Sequence, residues 1–551
     1  MCFASVSYLK KKLKLIAATG QRLTNIYKMN RPAFHDIFPL PLTPFEEYMF
    51  LDAHSGYPMV VPVTLVFKGN VRFEILSNAF DETVASEPLF HALVQKVNRR
   101  FCWIDSGLQP KLIFTDANPI DPNLPYGIDE FKNISIAETD RSETDHGETN
   151  HENPQNNQAG FRCSFTPHDG GFVIRLRIHH AVCDGMAVLL FVANWFAKYA
   201  QMIGDKDEID TYYPSPIKIK ERSNLSIKYK QHISKLASTL SFYRSTRDWF
   251  SRYLCRIRNC NPQFSEANKH LIDGWLNKNF FDTTDNLNHT NQFGNNQIDN
   301  DRNTAANADD NSNSKLIWSR LPEELANAIQ SRLNVVKVGL SPFIMAEYFR
   351  FVQSWMLQSD SMPVGERRNW IRVLYPTNFR LPLHRSVPAA NILGFAFIDR
   401  KFNSDFRNDN LYFELHNTLT EISNMSMGAM FLTGIELCCR IPFLLKRILT
   451  RRCLTSTIFT TIGNPCIFLP QKRFRRLRTI KIGNTDSVND IELLRIIGSP
   501  PLRPGTPVSF AMTKQPNEIT FSNLIDVSSF GLKNAVLFHN LFIDHLKKAV
   551  S

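Results

Sequence analysis

Ten cysteines are spread along 551 residues, and none forms a C-x-x-C pair. Two of them, Cys438 and Cys439, are adjacent, which leaves them poorly placed to bridge each other. This usage excludes a disulfide framework and a zinc ribbon, and it points to a reducing, cytoplasmic setting. Long apolar runs are also lacking. The longest, 186–197, is interrupted by Asn194 and falls short of a bilayer span. The first 30 residues are basic without the apolar centre of a signal peptide. Residues 1–35 therefore read as a basic leader, expected to be disordered. Acidic residues are scarce in two stretches. Residues 215–258 carry Lys218, Lys220, Arg222, Lys228, Lys230, Arg244, Arg247 and Arg252 among few acids. Residues 437–481 carry Arg440, Lys446, Arg447, Arg451, Arg452, Arg473, Arg475, Arg476 and Arg478 and no acid.

What is present fits a large globular enzyme. The chain is 43% hydrophobic and 21% charged, with 42 Phe and a formal net charge of +12. That length suffices for two core-bearing domains. The charge suits phosphate-bearing ligands, an acidic protein or an anionic lipid surface as well as a solvated face. Neither basic run is interleaved with stacking aromatics on a recognised module, so nucleic acid is not the expected partner.

The chain is organised around residues 171–197. Phe172, Ile174, Leu176 and Ile178 alternate with Arg175, Arg177 and His179, as on a strand. His180 continues the apolar face. The period then breaks at Cys183-Asp184-Gly185, and Met186, Leu189, Leu190, Ala193 and Phe196 restart it as a helical stripe. Two histidines thus sit at a strand end, with an acid and a glycine just before a helix. A partly desolvated imidazole stays neutral and can take a proton near pH 7. Asp184 is too costly to bury alone, so it should meet an arginine or a backbone donor and shape the turn. Gly185 would permit a backbone angle or close approach that a side chain blocks. No third ligand lies nearby at metal-site spacing, so no metal is expected.

His179-His180-Ala181-Val182-Cys183-Asp184-Gly185 spell HHxxxDG. This resembles the signature of the CoA-dependent acyltransferase superfamily. That superfamily includes chloramphenicol acetyltransferase, wax ester synthases, polyketide-associated acyltransferases and condensation domains. The plant-type DFGWG motif is missing, which disfavours that branch. The resemblance implies an α/β fold of two chloramphenicol acetyltransferase-like subdomains, mixed sheets flanked by helices, with an active-site tunnel between them. It implies acyl transfer from a thioester to a hydroxyl or amine, with His180 as general base, no covalent enzyme intermediate and His179 structural. The co-substrate would be acyl-CoA or an acyl-phosphopantetheine carrier protein, with no bound cofactor. A non-catalytic thioester- or carrier-binding protein of the same fold would carry the same sequence. The basic runs would then serve an acidic carrier protein or peripheral membrane contact.

The remaining punctuation follows that plan. Thr43, Pro44 and Glu46 spell a capping box opening a helix. Residues 59–67 read as a strand, 73–85 as a helix and 96–104 as another strand. Residues 138–159 read as a polar loop. Asn, Asp and Thr dominate 282–314, which reads as a disordered linker between a 36–281 subdomain and a 315–551 subdomain. In the second half, strands are expected at 317–321 and 370–375, and helices at 322–333 and from Ser341 to about 356. Arg380 and the Asn391-Ile392-Leu393-Gly394 element resemble a family pair, and Arg380 is the expected partner of Asp184, with Arg372 and Arg385 as rivals. The TSTIFTTIGN run, 455–464, reads as a late strand whose Thr460 or Asn464 would face the tunnel and donate to an oxyanion. Phe521-Ser522-Asn523 would end another strand, and 536–550 close the chain as a helix.

Deleting 284–312 and bridging the gap with a short Gly/Ser linker should leave the melting temperature nearly unchanged. Loop-closure cost varies by only about 0.6 kcal/mol per doubling of length. A drop of more than a few degrees in a thermal melt would show that the segment contributes to a core.

Overall fold

A computed structural model describes residues 34–53, 56–115, 126–129, 160–203, 214–222, 257, 260, 314–357, 370–380, 386–402, 409–424, 427–441, 443–445, 449, 454–462, 491–515 and 518–551. The leader up to residue 33, the 138–159 loop and nearly all of the linker lie outside these residues.

In chain order the first half runs β1 (Leu40–Pro41), α1 (Pro44–Asp52), β2 (Val60–Lys68), α2 (Phe73–Val84), β3 (Ala92–Val97), β4 (Arg100–Asp105), β5 (Leu112–Phe114), β6 (Tyr126–Asp129), β7 (Phe161–His168), β8 (Gly171–His179) and α3 (Gly185–Met202). The second half opens with β9 (Ser314–Arg320), α4 (Glu323–Val336), α5 (Leu340–Leu357), β10 (Trp370–Asn378), β11 (Leu393–Lys401), α6 (Asn410–Asn424) and α7 (Met427–Arg440). It closes with β12 (Thr457–Ile462), β13 (Glu492–Gly498), β14 (Val508–Lys514), β15 (Ile519–Asp526), α8 (Val527–Phe530) and α9 (Leu532–Val550).

The protein is two-lobed α/β, with mixed sheets flanked by helices. The first lobe holds a five-stranded sheet ordered β13-β2-β8-β7-β5, antiparallel except for the β5–β7 pair. The second holds a seven-stranded sheet ordered β11-β10-β12-β14-β15-β9-β6, with parallel pairs at β10–β12 and β12–β14. A small three-stranded sheet, β1-β4-β3, sits apart.

The sheets do not respect the division of the chain at 282–314. Strand β13, from the second half, pairs with β2, and β6, from the first half, pairs with β9. Each lobe therefore borrows an edge strand from the other.

Packing on both faces explains why period-two alternation misleads in the central strands. Strand β2 lies between β13 and β8, and β8 between β2 and β7. Of β2 only Lys68 is exposed, and Arg177 of β8 is buried. Val60, Val66 and Val173 turn toward Leu316, Trp318, Ile497 and Leu524, forming a small core between the sheets. A strand covered on both faces reads as a near-continuous apolar run.

Local signals held where the chain writes them in backbone hydrogen bonds. The Thr43 hydroxyl accepts from the Glu46 N–H at 3.3 Å, and Glu46 Oε2 accepts from the Thr43 N–H at 2.9 Å. Glu46 also receives Arg222 and the Trp103 indole, so this capping residue is a buried polar hub. The span 96–104, by contrast, is not one strand. Asn98 and Arg99, at φ 47° and 68°, turn the chain between β3 and β4 as the two centre residues of a primed hairpin. Phe521, Ser522 and Asn523 lie in the middle of β15 rather than at its end.

Polar clasps tie the lobes together. Arg503 makes a two-point pair with Asp52, Nε–Oδ2 2.9 Å and Nη2–Oδ1 3.0 Å, with both side chains buried. The Tyr57 hydroxyl donates to Asp526 at 2.7 Å. Depriving a buried charge of its partner costs roughly 3–5 kcal/mol. Separating the lobes would do so at Arg503 and also strip both exchanged strands. A protease site inserted within 284–312 and cleaved should therefore yield two fragments that co-elute on a sizing column without denaturant. Fragments that elute separately would contradict the strand exchange.

Candidate functional site

Strand β8 ends at His179, and a tight turn carries the chain to α3. The Val182 N–H donates to the His179 carbonyl at 2.9 Å, and the His180 N–H to the Met59 carbonyl at 2.7 Å. Asp184 is the N-cap of α3, its Oδ1 accepting the Ala187 N–H at 2.8 Å. The acid of the motif is thus first of all a helix cap.

The two histidines part ways. His179 is buried and its Nδ1 accepts from the Ala181 N–H at 3.2 Å. Burial, helped by the neighbouring His180, pushes its pKa down to about 3, so it is neutral throughout the physiological range. His180 borders an apolar cavity of about 190 Å³ between the lobes. Its Nδ1 lies 3.2 Å from the Cys183 carbonyl. A carbonyl only accepts, so Nδ1 carries the hydrogen and Nε2 keeps its lone pair. Burial lowers the His180 pKa, while the Cys183 carbonyl and the Asp184 charge pull the other way.

Asp184 does not meet Arg380. Its second oxygen accepts the Ile392 N–H at 2.8 Å, so both oxygens are filled by backbone donors, one from each lobe. Arg380 instead donates to the Val387 and Ala390 carbonyls at 3.3 and 3.1 Å. The rival Arg372 pairs with Asp399 through two 2.8 Å bonds, and Arg385 lies outside the described residues. The physical reason is saturation: the loop carrying Ile392 crosses the motif and supplies the donor that an arginine would have supplied. Arg380 acts on that same loop.

Residues 386–392 form this crossing loop. Asn391 Nδ2 donates to the His180 carbonyl at 2.5 Å and to the Ala181 carbonyl at 2.9 Å. The Ala389 N–H donates to Glu87 at 2.5 Å. Glu87 is fully buried, and burial pushes its pKa up to about 8, against the opposing pull of the Ala389 N–H and Arg380. The role of Glu87 was not legible in the sequence. An acid before a proline carries no sequence signal of burial.

Gly185 corrects a second expectation. A Cβ built there meets nothing within 4 Å, and the residue does not have the positive φ that favours glycine. Its bareness opens onto the cavity. Thr460, on β12, also borders the cavity, and its hydroxyl has no partner among the described residues. Asn464 lies outside them. Of the first basic run, Lys218, Lys220 and Arg222 are described. Lys218 donates to Ser386, Lys220 to the Asp36 carbonyl and buried Arg222 to Glu46. In the second run, Arg440 is exposed and pairs with Glu436 at 2.7 Å.

The cavity is lined from both lobes: Met49, Val61 and Leu189 from one, Leu374, Phe395 and Ile458 from the other. No family model matches the sequence, and no curated protein sequence matches it. The likeness is in the fold, which is that of condensation domains in the chloramphenicol acetyltransferase-like class. SgcC5 from Streptomyces globisporus superposes with a TM-score of 0.55 at 12% identity, covering 93% of this chain and 98% of that one. The condensation domain of the monacolin K polyketide synthase MokA gives 0.53 at 12%, over 93% and 97%. The epimerization domain from the third module of tyrocidine synthetase B gives 0.51 at 10%, again over 93% and 97%. The last two carry different reaction names on one fold, so chemistry has to be argued from the site.

Asp184→Asn keeps the cap but turns an amide N–H₂ toward the Ile392 N–H. The expected loss is that of a hydrogen bond to a charged group, about 1.5–3 kcal/mol, rather than that of a broken ion pair. Urea denaturation should report it, and Asp184→Ala should cost about 1 kcal/mol more through the lost cap. Equal stability of Asp184→Asn and wild type would show that the Ile392 bond contributes nothing.

Proposed function

We propose that the protein is an acyltransferase, moving an acyl group from a CoA or carrier-protein thioester to a hydroxyl or amine acceptor. The observation that carries the reading is His180: a buried, neutral imidazole, oriented by the Cys183 carbonyl so that Nε2 is free beside a cavity open to both lobes.

In the proposed step, Nε2 removes the acceptor's proton as its oxygen or nitrogen attacks the thioester carbonyl. The carbonyl π electrons move to oxygen, giving a tetrahedral oxyanion. The Thr460 hydroxyl, unengaged among the described residues, is the candidate donor to it. As the oxyanion collapses, the C–S bond breaks and the thiolate leaves with the proton held by His180. No acyl-enzyme forms. Asp184 holds the loop and takes no proton. His179 supports the turn. An acyl-CoA or an acyl-phosphopantetheine carrier protein supplies the thioester, and no resident cofactor is needed.

His180→Ala should reduce transfer by roughly 10²–10⁴-fold, the usual contribution of a general base, while the melting temperature holds. The rate constant of the wild type should stay level above the His180 pKa and fall as acid protonates Nε2. Because burial depresses that pKa, the fall should come below the ordinary histidine value of about 6.5. The check is single-turnover release of free thiol from mixed acyl-CoAs with candidate acceptors. Near-normal turnover in folded His180→Ala would end the general-base assignment.

A further inference from the structure

The polar groups that border the cavity are almost all spoken for. Asp184 spends both oxygens on backbone N–H groups, and Arg503 is paired with Asp52. Ser499 bonds Ser509, the Thr377 hydroxyl donates to the Gly394 carbonyl, and Thr461 accepts from Ser341. Asn378 accepts from the Arg380 N–H at the exposed end. Among the described residues, what remains unengaged toward the interior is His180 Nε2 and the Thr460 hydroxyl. Around them stand aliphatic walls, including Val61, Val63, Met186, Leu189, Leu393 and Ile458.

Such a chamber discriminates by charge. An α-ammonium or a carboxylate brought into it would lose its water and find no free counter-charge among the described residues, a severe penalty. A saturated chain loses nothing and gains burial at every methylene. We infer that the group held beside His180 is an uncharged aliphatic chain, and not an aminoacyl group. The inference rests on the acyl-transfer reading for its choice of ligands. The chain has two possible sources with the same chemistry, a fatty-acyl thioester donor or a fatty-alcohol acceptor, and the measurement below separates them.

The wild-type protein is titrated calorimetrically with non-transferable thioether analogues of acyl-CoA bearing 2 to 12 carbons, with n-alkanols of the same lengths, and with an aminoacyl analogue. In at least one arm the dissociation constant should fall about fourfold per added methylene until the chamber is full, as burial of each CH₂ requires. A trend in the thioether arm assigns the chain to the donor, and a trend in the alkanol arm assigns it to the acceptor. Val63→Phe and Leu393→Trp, from different lobes and each checked by melting, should shorten the longest chain accepted. Affinity independent of length in both arms, or an aminoacyl analogue that binds more tightly than the alkyl one of equal length, overturns the inference. The two readings fail separately. Length-dependent binding with no transfer from any matched donor keeps the aliphatic chamber and removes the transferase. Transfer without length dependence does the reverse.

Discussion

The structure depends on the spare backbone donors of one loop finding acceptors in the other lobe. Residues 386–392 reach across and give N–H groups to Glu87 and Asp184 and a side-chain amide to the His180 and Ala181 carbonyls. A loop buried at an interface would otherwise carry unsatisfied polar groups, each costing on the order of 1–3 kcal/mol. The motif turn has the matching surplus of acceptors. Neither segment is well satisfied alone, so the geometry of His180 exists only when the lobes are together. Arg380 completes the clasp from behind by holding two carbonyls of the same loop.

Burial then decides the protonation states. The same desolvation that lowers His180 raises Glu87, because each group prefers its uncharged form in a dry interior. Both shifts draw their groups toward the uncharged form, with the Arg380 guanidinium as the opposing charge beside Glu87. The nearby Asp184 is the carboxylate to which two N–H bonds are devoted.

Much of this was legible. The change of period at Cys183-Asp184-Gly185, the capping box at Thr43 and the element pattern of the second half were written locally, in turn chemistry and apolar spacing. The two-lobed α/β fold followed from them and from the resemblance. What could not be read depends on contacts between distant segments. The pairing of β13 with β2 joins residues more than 400 positions apart, and nothing in either strand names its partner. Arg380 was rightly placed near the motif but assigned to the wrong acceptor, since a sequence shows which charges exist and not which backbone donors arrive first. Gly185 was expected to permit a backbone angle or close approach that a side chain blocks. The turn is in fact shaped by the Asp184 cap, and the missing side chain only keeps the cavity open.

The arrangement also bears on how a histidine without a carboxylate at Nδ1 can act as a base. In a Ser-His-Asp triad the acid orients the imidazole and stabilises the imidazolium directly. Here those two tasks are divided. Orientation falls to the Cys183 carbonyl, which fixes the tautomer, and Asp184 contributes only through space, with both oxygens turned to backbone donors. Its charge still favours the imidazolium, but burial opposes it and prevails, so the resting ring is neutral and ready to accept a proton. In the proposed reaction, a proton taken by His180 would be held in an apolar cavity with the Cys183 and His180 carbonyls and the Asp184 charge to stabilise it. That would favour passing it on to the departing thiolate over storing it, which suits the proposed transfer without a covalent intermediate.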